Sequence, residues 1–171
     1  QIINCSITDF GSTGGGIYVD GQTELTIAGN TVRTSANINA DGIYCFDVDQ
    51  YFITENDVRV PDWGLYITDG NDGSNPGFQS LVVNNMFISD ADYGMCLNDF
   101  EYTDVFHNSS SGNPAIRIND QANTINFVNN IFYSASDFAF ESDDALSPTD
   151  SIDYNIYFSS GANAFDTGVS I

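Results

Sequence analysis

Acidic residues recur at one place in a repeating phrase, and an arginine stands among them. The phrase reads GIYV at Gly16–Val19, GIYC at Gly42–Cys45 and GLYI at Gly64–Ile67. It continues more loosely as GMCL at Gly94–Leu97 and AIRI at Ala115–Ile118. With the first residue as position zero, position five holds Asp47, Asp69, Asp99 and Asp120, and Asp143 if the phase holds one repeat further. In the first repeat the acid slips to Asp20, and Gly21 takes the position. Like charges this close repel; they persist when hydrated, bridged by a cation or partly protonated. Calcium is the natural cation for hard oxygen ligands. The best local set is DGNDGSN, where Asp69, Asn71, Asp72 and Asn75 share a glycine-rich loop. That loop lacks the twelve-residue frame and closing glutamate of an EF-hand, and an ordinary Asx/Gly turn explains the same residues. Asp99 with Asp120, and Glu141 with Asp143 and Asp144, are the further acidic candidates.

Position two carries Tyr18, Tyr44, Tyr66, Cys96 and Arg117, and Phe140 extends the row. Stacked tyrosines offer apolar ring faces with a polar handle, which suits the faces of sugar rings. The alternatives are plain packing or shielding by a loop, since tyrosine favours strands and pairs well across them, and a protein interface. Arg117 falls near Asp99 and Asp120 in this alignment and reads most simply as a counterion. A glycoside hydrolase needs two carboxylates at a defined separation; the acid column offers many pairs and so identifies none. His107, the single histidine, lacks a Cys/His set for zinc, which leaves a dyad with Glu101 or Asp104 open to it. No P-loop lysine follows Gly14–Gly15–Gly16. The three cysteines do not read as a disulfide framework. Cys45 falls in an inward column and Cys96 in an outward, exposed one, and Cys5 reaches Cys45 only if the first repeat departs from the pattern. Two glycosylation sequons occur, Asn4-Cys5-Ser6 and Asn108-Ser109-Ser110, the second at a position predicted to face inward.

The elements that must hold these residues follow from the repeats. Spacings of 26, 22, 30 and 21 residues define units that cannot bury a face alone and must stack. Alternating apolar and polar residues are a strand signal. Position one holds Ile17, Ile43, Leu65, Met95 and Ile116; position three holds Val19, Cys45, Ile67, Leu97 and Ile118. Side chains alternate along a strand, so these two apolar columns share one face, the interior. A second strand supplies Leu25/Ile27, Tyr51/Ile53, Val82, Ile125/Phe127 and Ile152. It feeds a turn containing Asn30, Asn56, Asn85, Asn108, Asn130 and Asn155, with Cys5 where a preceding member would fall. Each amide of such a column can bond its own turn and the next amide, so a structural ladder is expected. The prediction is an all-β, single-stranded right-handed parallel β-helix. It has about six to seven coils of 21–30 residues, with two or three strands each, in one solenoid domain over residues 1–171, a shaft about 30 Å long.

Charge narrows the partners. There are 24 acidic residues against three basic ones, all arginine, for a formal charge of -21. Such a surface repels phosphate backbones and anionic membranes, which argues against a nucleic-acid partner. No run reaches the roughly 18 apolar residues of a membrane span, so membrane insertion is not expected, and no signal-peptide pattern is seen. Hydrophobic residues at 42% and aromatics at 13% favour a packed core over disorder. Neither end carries a capping segment of the kind solenoids use. The chain is therefore expected to be a fragment, a processed chain or a module covered by neighbours, with open strand edges that favour end-to-end self-association or contact with neighbouring coils.

The GIY(V/C) phrase, followed a strand later by NNxF as in NNMF ending at Phe87 and NNIF ending at Phe132, resembles the right-handed parallel β-helix superfamily typified by pectate lyases, from Ile2 to about Phe165. The resemblance implies the fold and leaves the activity open, because function on such a scaffold lives in grafted sites. The superfamily includes polysaccharide lyases, glycoside hydrolases, uronate epimerases, phage tailspikes and noncatalytic surface proteins. Its calcium-dependent lyases use acidic calcium ligands and an Arg or Lys base, which makes Arg117 the catalytic candidate by resemblance. Yet no further basic residues are at hand to hold a polyuronate, and the net charge would repel one. The expected function is a noncatalytic extracellular or cell-surface structural or adhesive module that contacts glycans or neighbouring chains. No cofactor is required, and calcium is the ion that would fit. The alternative is a carbohydrate-active enzyme (polysaccharide lyase, glycoside hydrolase or uronate epimerase) or accessory coils of one.

Overall fold

Each coil presents three strand faces, and the coils stack in parallel into a β-solenoid of about six turns. The computed structural model describes residues 1–10, 14–35, 39–70, 79–119, 124–143, 146, 150–161 and 163–166. The first face begins in the long strands Gly14–Ala28 and Ala40–Thr54 and continues as Leu65–Gly70, Met95–Phe100, Ile116–Asn119, Phe140–Ser142 and Phe165–Asp166. The second face takes the far halves of the same long strands, then Ser80–Val83, Thr103–Phe106, Ile125–Val128 and Ser151–Asp153. The third is a separate seven-stranded sheet, from Ser6–Thr8 through Thr31–Arg33 and Asp57–Val60 to Ile156–Ser159. The architecture is that of pectate-lyase-like β-helices.

The interior follows the alternation. Ile17, Ile43, Leu65, Met95 and Ile116 stand in one register, as do Val19, Cys45, Ile67, Leu97 and Ile118, and every one of them is buried. Glycine at position zero has a packing reason. A Cβ on Gly42 would collide with the Val58 side chain and the Gly64 carbonyl, and one on Gly64 would collide with the Gly94 carbonyl. The next two coils use Ala115 and Ala139 there, both fully buried.

That requirement corrects the sixth coil. Phe140 was expected to point outward, but it pairs with Ile116 and is fully buried. Glu141 takes the outward place opposite Arg117. The small residue at position zero is Ala139, so the phase shifts by one residue and Asp143 lies at position four rather than five. Cys96, expected to be exposed, keeps its outward register but is buried.

The corners are left-handed residues. Asp47, Asp69 and Asp99 have φ of 50°, within a few degrees, and Gly21 has φ 61° in the first coil. The position-five aspartates therefore have a backbone reason: Asp enters this region more readily than most residues, and glycine enters it freely. A second left-handed column precedes the asparagines, at Asn4, Gly29, Glu55, Asn84, His107, Asn129 and Tyr154. His107 is thus a corner residue.

Inside that corner the asparagines form a continuous ladder. Asn30 Nδ2 donates to Asn56 Oδ1 at 2.9 Å, Asn56 to Asn85 at 2.9 Å, Asn85 to Asn108 at 3.0 Å, Asn108 to Asn130 at 3.1 Å and Asn130 to Asn155 at 2.9 Å. Each Oδ1 also accepts the backbone N–H of the preceding ladder residue, as Asn85 Oδ1 does from Asn56 at 2.9 Å. The Cys5 N–H donates to Asn30 Oδ1 at 2.9 Å, so its backbone serves at the ladder's first place. Buried amides so fully bonded carry no desolvation penalty. Asn108 lies inside this ladder, which leaves no room for a glycan at its sequon.

Candidate functional site

The turn that enters the first face brings together residues on which the repeat phrase is silent. Asp41, Trp63 and Tyr93 each immediately precede a position-zero glycine, and Asp62 and Asp92 stand one residue earlier. Backbone bonds lock these turns in register: Gly42 N–H donates to Trp63 O at 2.7 Å and Gly64 N–H to Tyr93 O at 3.0 Å. Ser89 Oγ accepts the Asp92 N–H at 2.8 Å and fixes the last turn.

The rings form one strip. Tyr18 stacks on Tyr44 at 5.3 Å between centroids, Tyr44 meets Tyr66 at 4.8 Å, and Trp63 lies 4.3 Å from Tyr66. Trp63 also stacks with Tyr93 at 6.4 Å. The strip ends on Arg117, whose guanidinium carbon lies 5.4 Å from the Tyr93 ring centre, a cation–π contact. Tyr18 is 57% exposed, and Tyr44, Trp63, Tyr66 and Tyr93 are half-buried, with ring surface open to a ligand. The sequence placed Tyr18, Tyr44 and Tyr66 in one row, and Trp63 and Tyr93 widen that row.

Three carboxylates border the strip. Trp63 Nε1 donates to Asp92 Oδ2 at 3.3 Å. Burial raises the pKa of Asp62 to about 6, and the charges of Asp41 and Asp92 and a hydrogen bond to Asp92 add to it. Burial likewise raises Asp41, against a lowering bond from the Trp63 backbone, with Asp92 adding to the rise. Asp41 Oδ1 is buried without a hydrogen-bond partner. Burial also raises the phenols of Tyr44, Tyr66 and Tyr93.

Arg117, aligned in the sequence near Asp99 and Asp120, is bonded to residues the alignment did not name, and Asp120 lies outside the described residues. Its Nη2 donates to Asp143 at 2.8 Å, its Nη1 to Tyr93 Oη at 2.8 Å and its Nε to Asn119 Oδ1 at 2.8 Å, with Glu141 at 3.9 Å. The slipped phase of the sixth coil is what delivers Glu141 and Asp143 to it. Partial burial alone would lower its pKa, but the Asp143 bond and the Glu141 charge outweigh that and raise it.

Asp69 and Asp99 sit at successive first-face corners; Asn71, Asp72, Asn75, Asp120 and Asp144 lie outside the described residues. Among the described residues no group of three His, Cys, Asp or Glu side chains is placed to hold a metal ion. Asp104 accepts from Asn126 Nδ2 at 2.6 Å. The three cysteines are free, and burial pushes the thiols of Cys45 and Cys96 up to about 12, which leaves them unreactive. No helix among the described residues is long and apolar enough to cross a membrane. No family model, curated protein or solved structure matches this chain.

Proposed function

We propose that this chain is a noncatalytic glycan-contacting module of an extracellular or cell-surface protein, with the aromatic strip of the first face as its contact surface. The observation that carries the reading is the continuous row Tyr18–Tyr44–Trp63/Tyr66–Tyr93. It covers three rung spacings, about 14 Å at 4.8 Å each, on strands and entry turns held in register by backbone bonds. Rings held so rigidly lose little entropy on binding and present amphipathic faces to sugar rings. The charge of -21 suits an exposed, well-hydrated shaft. The apolar outer edge of the last described coil, with Tyr154, Ile156 and Phe158 exposed, supports contact with a neighbouring chain or further coils. Calcium enters this reading as an accessory ion at the Asp69 loop, tested by the effect of a chelator on the melting temperature.

The enzyme reading has one observation in its favour. Burial raises the pKa of the Asp62 carboxyl beside the rings to about 6, the direction in which general acids are tuned. Its carboxylate neighbour, however, is in hydrogen-bond contact, whereas glycoside hydrolysis needs the pair about 5 Å apart or more. Arg117, with three donor bonds and a raised pKa, is a poor proton-abstracting base. A glycan array followed by calorimetric titration tests the proposal on the intact chain and on Tyr44→Ala/Tyr66→Ala. Binding that is lost in the double variant, with no new reducing or unsaturated ends, is the expected result. Binding unchanged by the double substitution, or products accumulating with the intact chain, would overturn it.

A further inference from the structure

The carboxylates beside the strip say which glycan it fits. Neutral sugar hydroxyls both donate and accept, so they place no premium on a margin of carboxylates. Here Asp41, Asp62 and Asp92 bring carboxylate oxygens to the margin of Tyr44, Trp63 and Tyr66. Burial, with the charges of Asp41 and Asp92 adding to it, raises the pKa of the Asp62 carboxyl to about 6, and the buried Asp41 Oδ1 has no donor. Arg117, the nearest cation on this face, is committed to Asp143, Tyr93 and Asn119. The other two arginines lie on the third face, paired with Asp57 and Asp90. The margin therefore holds three carboxylates with no uncommitted arginine beside them, next to aromatic faces whose phenol and indole groups are its donors. An ammonium group complements that set with charge, three donors and affinity for ring faces.

We propose that the strip is selective for a glycan carrying free primary amines, an amino-sugar chain whose rings lie on Tyr44, Trp63 and Tyr66 and whose ammonium groups face Asp41, Asp62 and Asp92. The proposal rests on the glycan reading above and narrows it. A metal ion fits less well, because no described group of acids is arranged to hold one. A polyanionic glycan is rejected at the same place by like charge.

Trp63 is the only tryptophan and lies in the strip, so its emission reports occupancy directly. The intact chain is titrated at pH 6 and fixed ionic strength with four probes: a glucosamine hexamer, its fully N-acetylated counterpart, a glucose hexamer and spermine. Binding of the glucosamine hexamer at least 10-fold tighter than each of the others is expected. Asp92→Asn should reduce that preference about 3-fold or more, while Tyr66→Ala weakens every sugar. Equal binding of the three sugars would overturn the amine selectivity and leave the glycan reading standing. Spermine binding as tightly as the glucosamine hexamer would overturn it in favour of simple charge attraction. No response to any sugar would overturn both. Displacement of the glucosamine hexamer by millimolar calcium, with calcium alone shifting the emission, would reassign the acids to a metal site.

Discussion

The asparagine ladder and the aromatic strip run along the same axis, one inside a corner and one outside a face, and they are built on opposite rules. The ladder repeats one residue from Asn30 to Asn155, and each amide is satisfied by its neighbours. The strip changes chemistry coil by coil: Tyr18, Tyr44 and Tyr66, then Cys96, Arg117 and Glu141 in the same register. A stacked column that holds buried backbone groups together must be uniform, because every rung poses the same hydrogen-bonding problem. A column on the outer face is free of that demand, so its residues can change from coil to coil, and the proposed glycan contact is one use of that freedom. On this view the ladder is stability and the strip is recognition.

Breaking the ladder should have the largest effect. Asn85 donates to Ile53 O at 2.8 Å, Val83 O at 3.0 Å and Asn108 Oδ1 at 3.0 Å, and accepts from the backbone and side chain of Asn56. Asn85→Ala leaves several of these buried groups unpaired, so urea unfolding should show a loss of about 3–5 kcal/mol. Gly64→Ala comes next. Its methyl meets the Gly94 carbonyl and lies 3.1 Å from Phe87 Cβ, and overpacking of this kind costs about 2 kcal/mol.

The carboxylates sharpen the comparison through pH. Asp62 has a folded pKa of about 6 against 3.8 for the free carboxyl. The folded chain therefore binds that proton more tightly, so this group's contribution to stability falls as pH rises from about 4 to about 6 and is flat above. Asp41 shifts in the same direction. Asp62→Asn should raise stability at pH 8 by about 1 kcal/mol after allowance for solvent screening, and the gain should vanish at pH 4. Melting curves at the two pH values check it. Arg117→Gln is expected to cost less still, about 0.5–1 kcal/mol, because its closest ion-pair partner, Asp143, is half exposed and glutamine keeps part of the hydrogen bonding.

Much of this contrast could be read from the chain. Period-two alternation in the GIYV phrase fixed the two inward columns, because only one face of each strand can be buried. The Asn spacing located the ladder, because a column of identical amides at a bend has one efficient arrangement. The strip was read in part. Tyr18, Tyr44 and Tyr66 belong to the regular strand, whereas Trp63, Tyr93, Asp62 and Asp92 lie in turns of unequal length, where no period applies. Counting backward from Gly42, Gly64 and Gly94 would have aligned Asp41, Trp63 and Tyr93. The misphased Phe140 has a similar source. In Phe138-Ala139-Phe140 hydrophobicity alone does not say which ring is inside, and the need for a small residue at position zero decides it.

The most direct test sets the two columns against each other in one pair of variants. Unfolding free energy and glycan affinity would be measured for Tyr66→Ala and Asn85→Ala. The account predicts that Tyr66→Ala unfolds within about 1 kcal/mol of the parent chain yet binds glycan at least 10-fold more weakly. Asn85→Ala should lose stability and, while still folded, bind as the parent does. Tyr66→Ala that loses stability like the ladder variant while glycan affinity is untouched would make the strip a packing device and contradict the account.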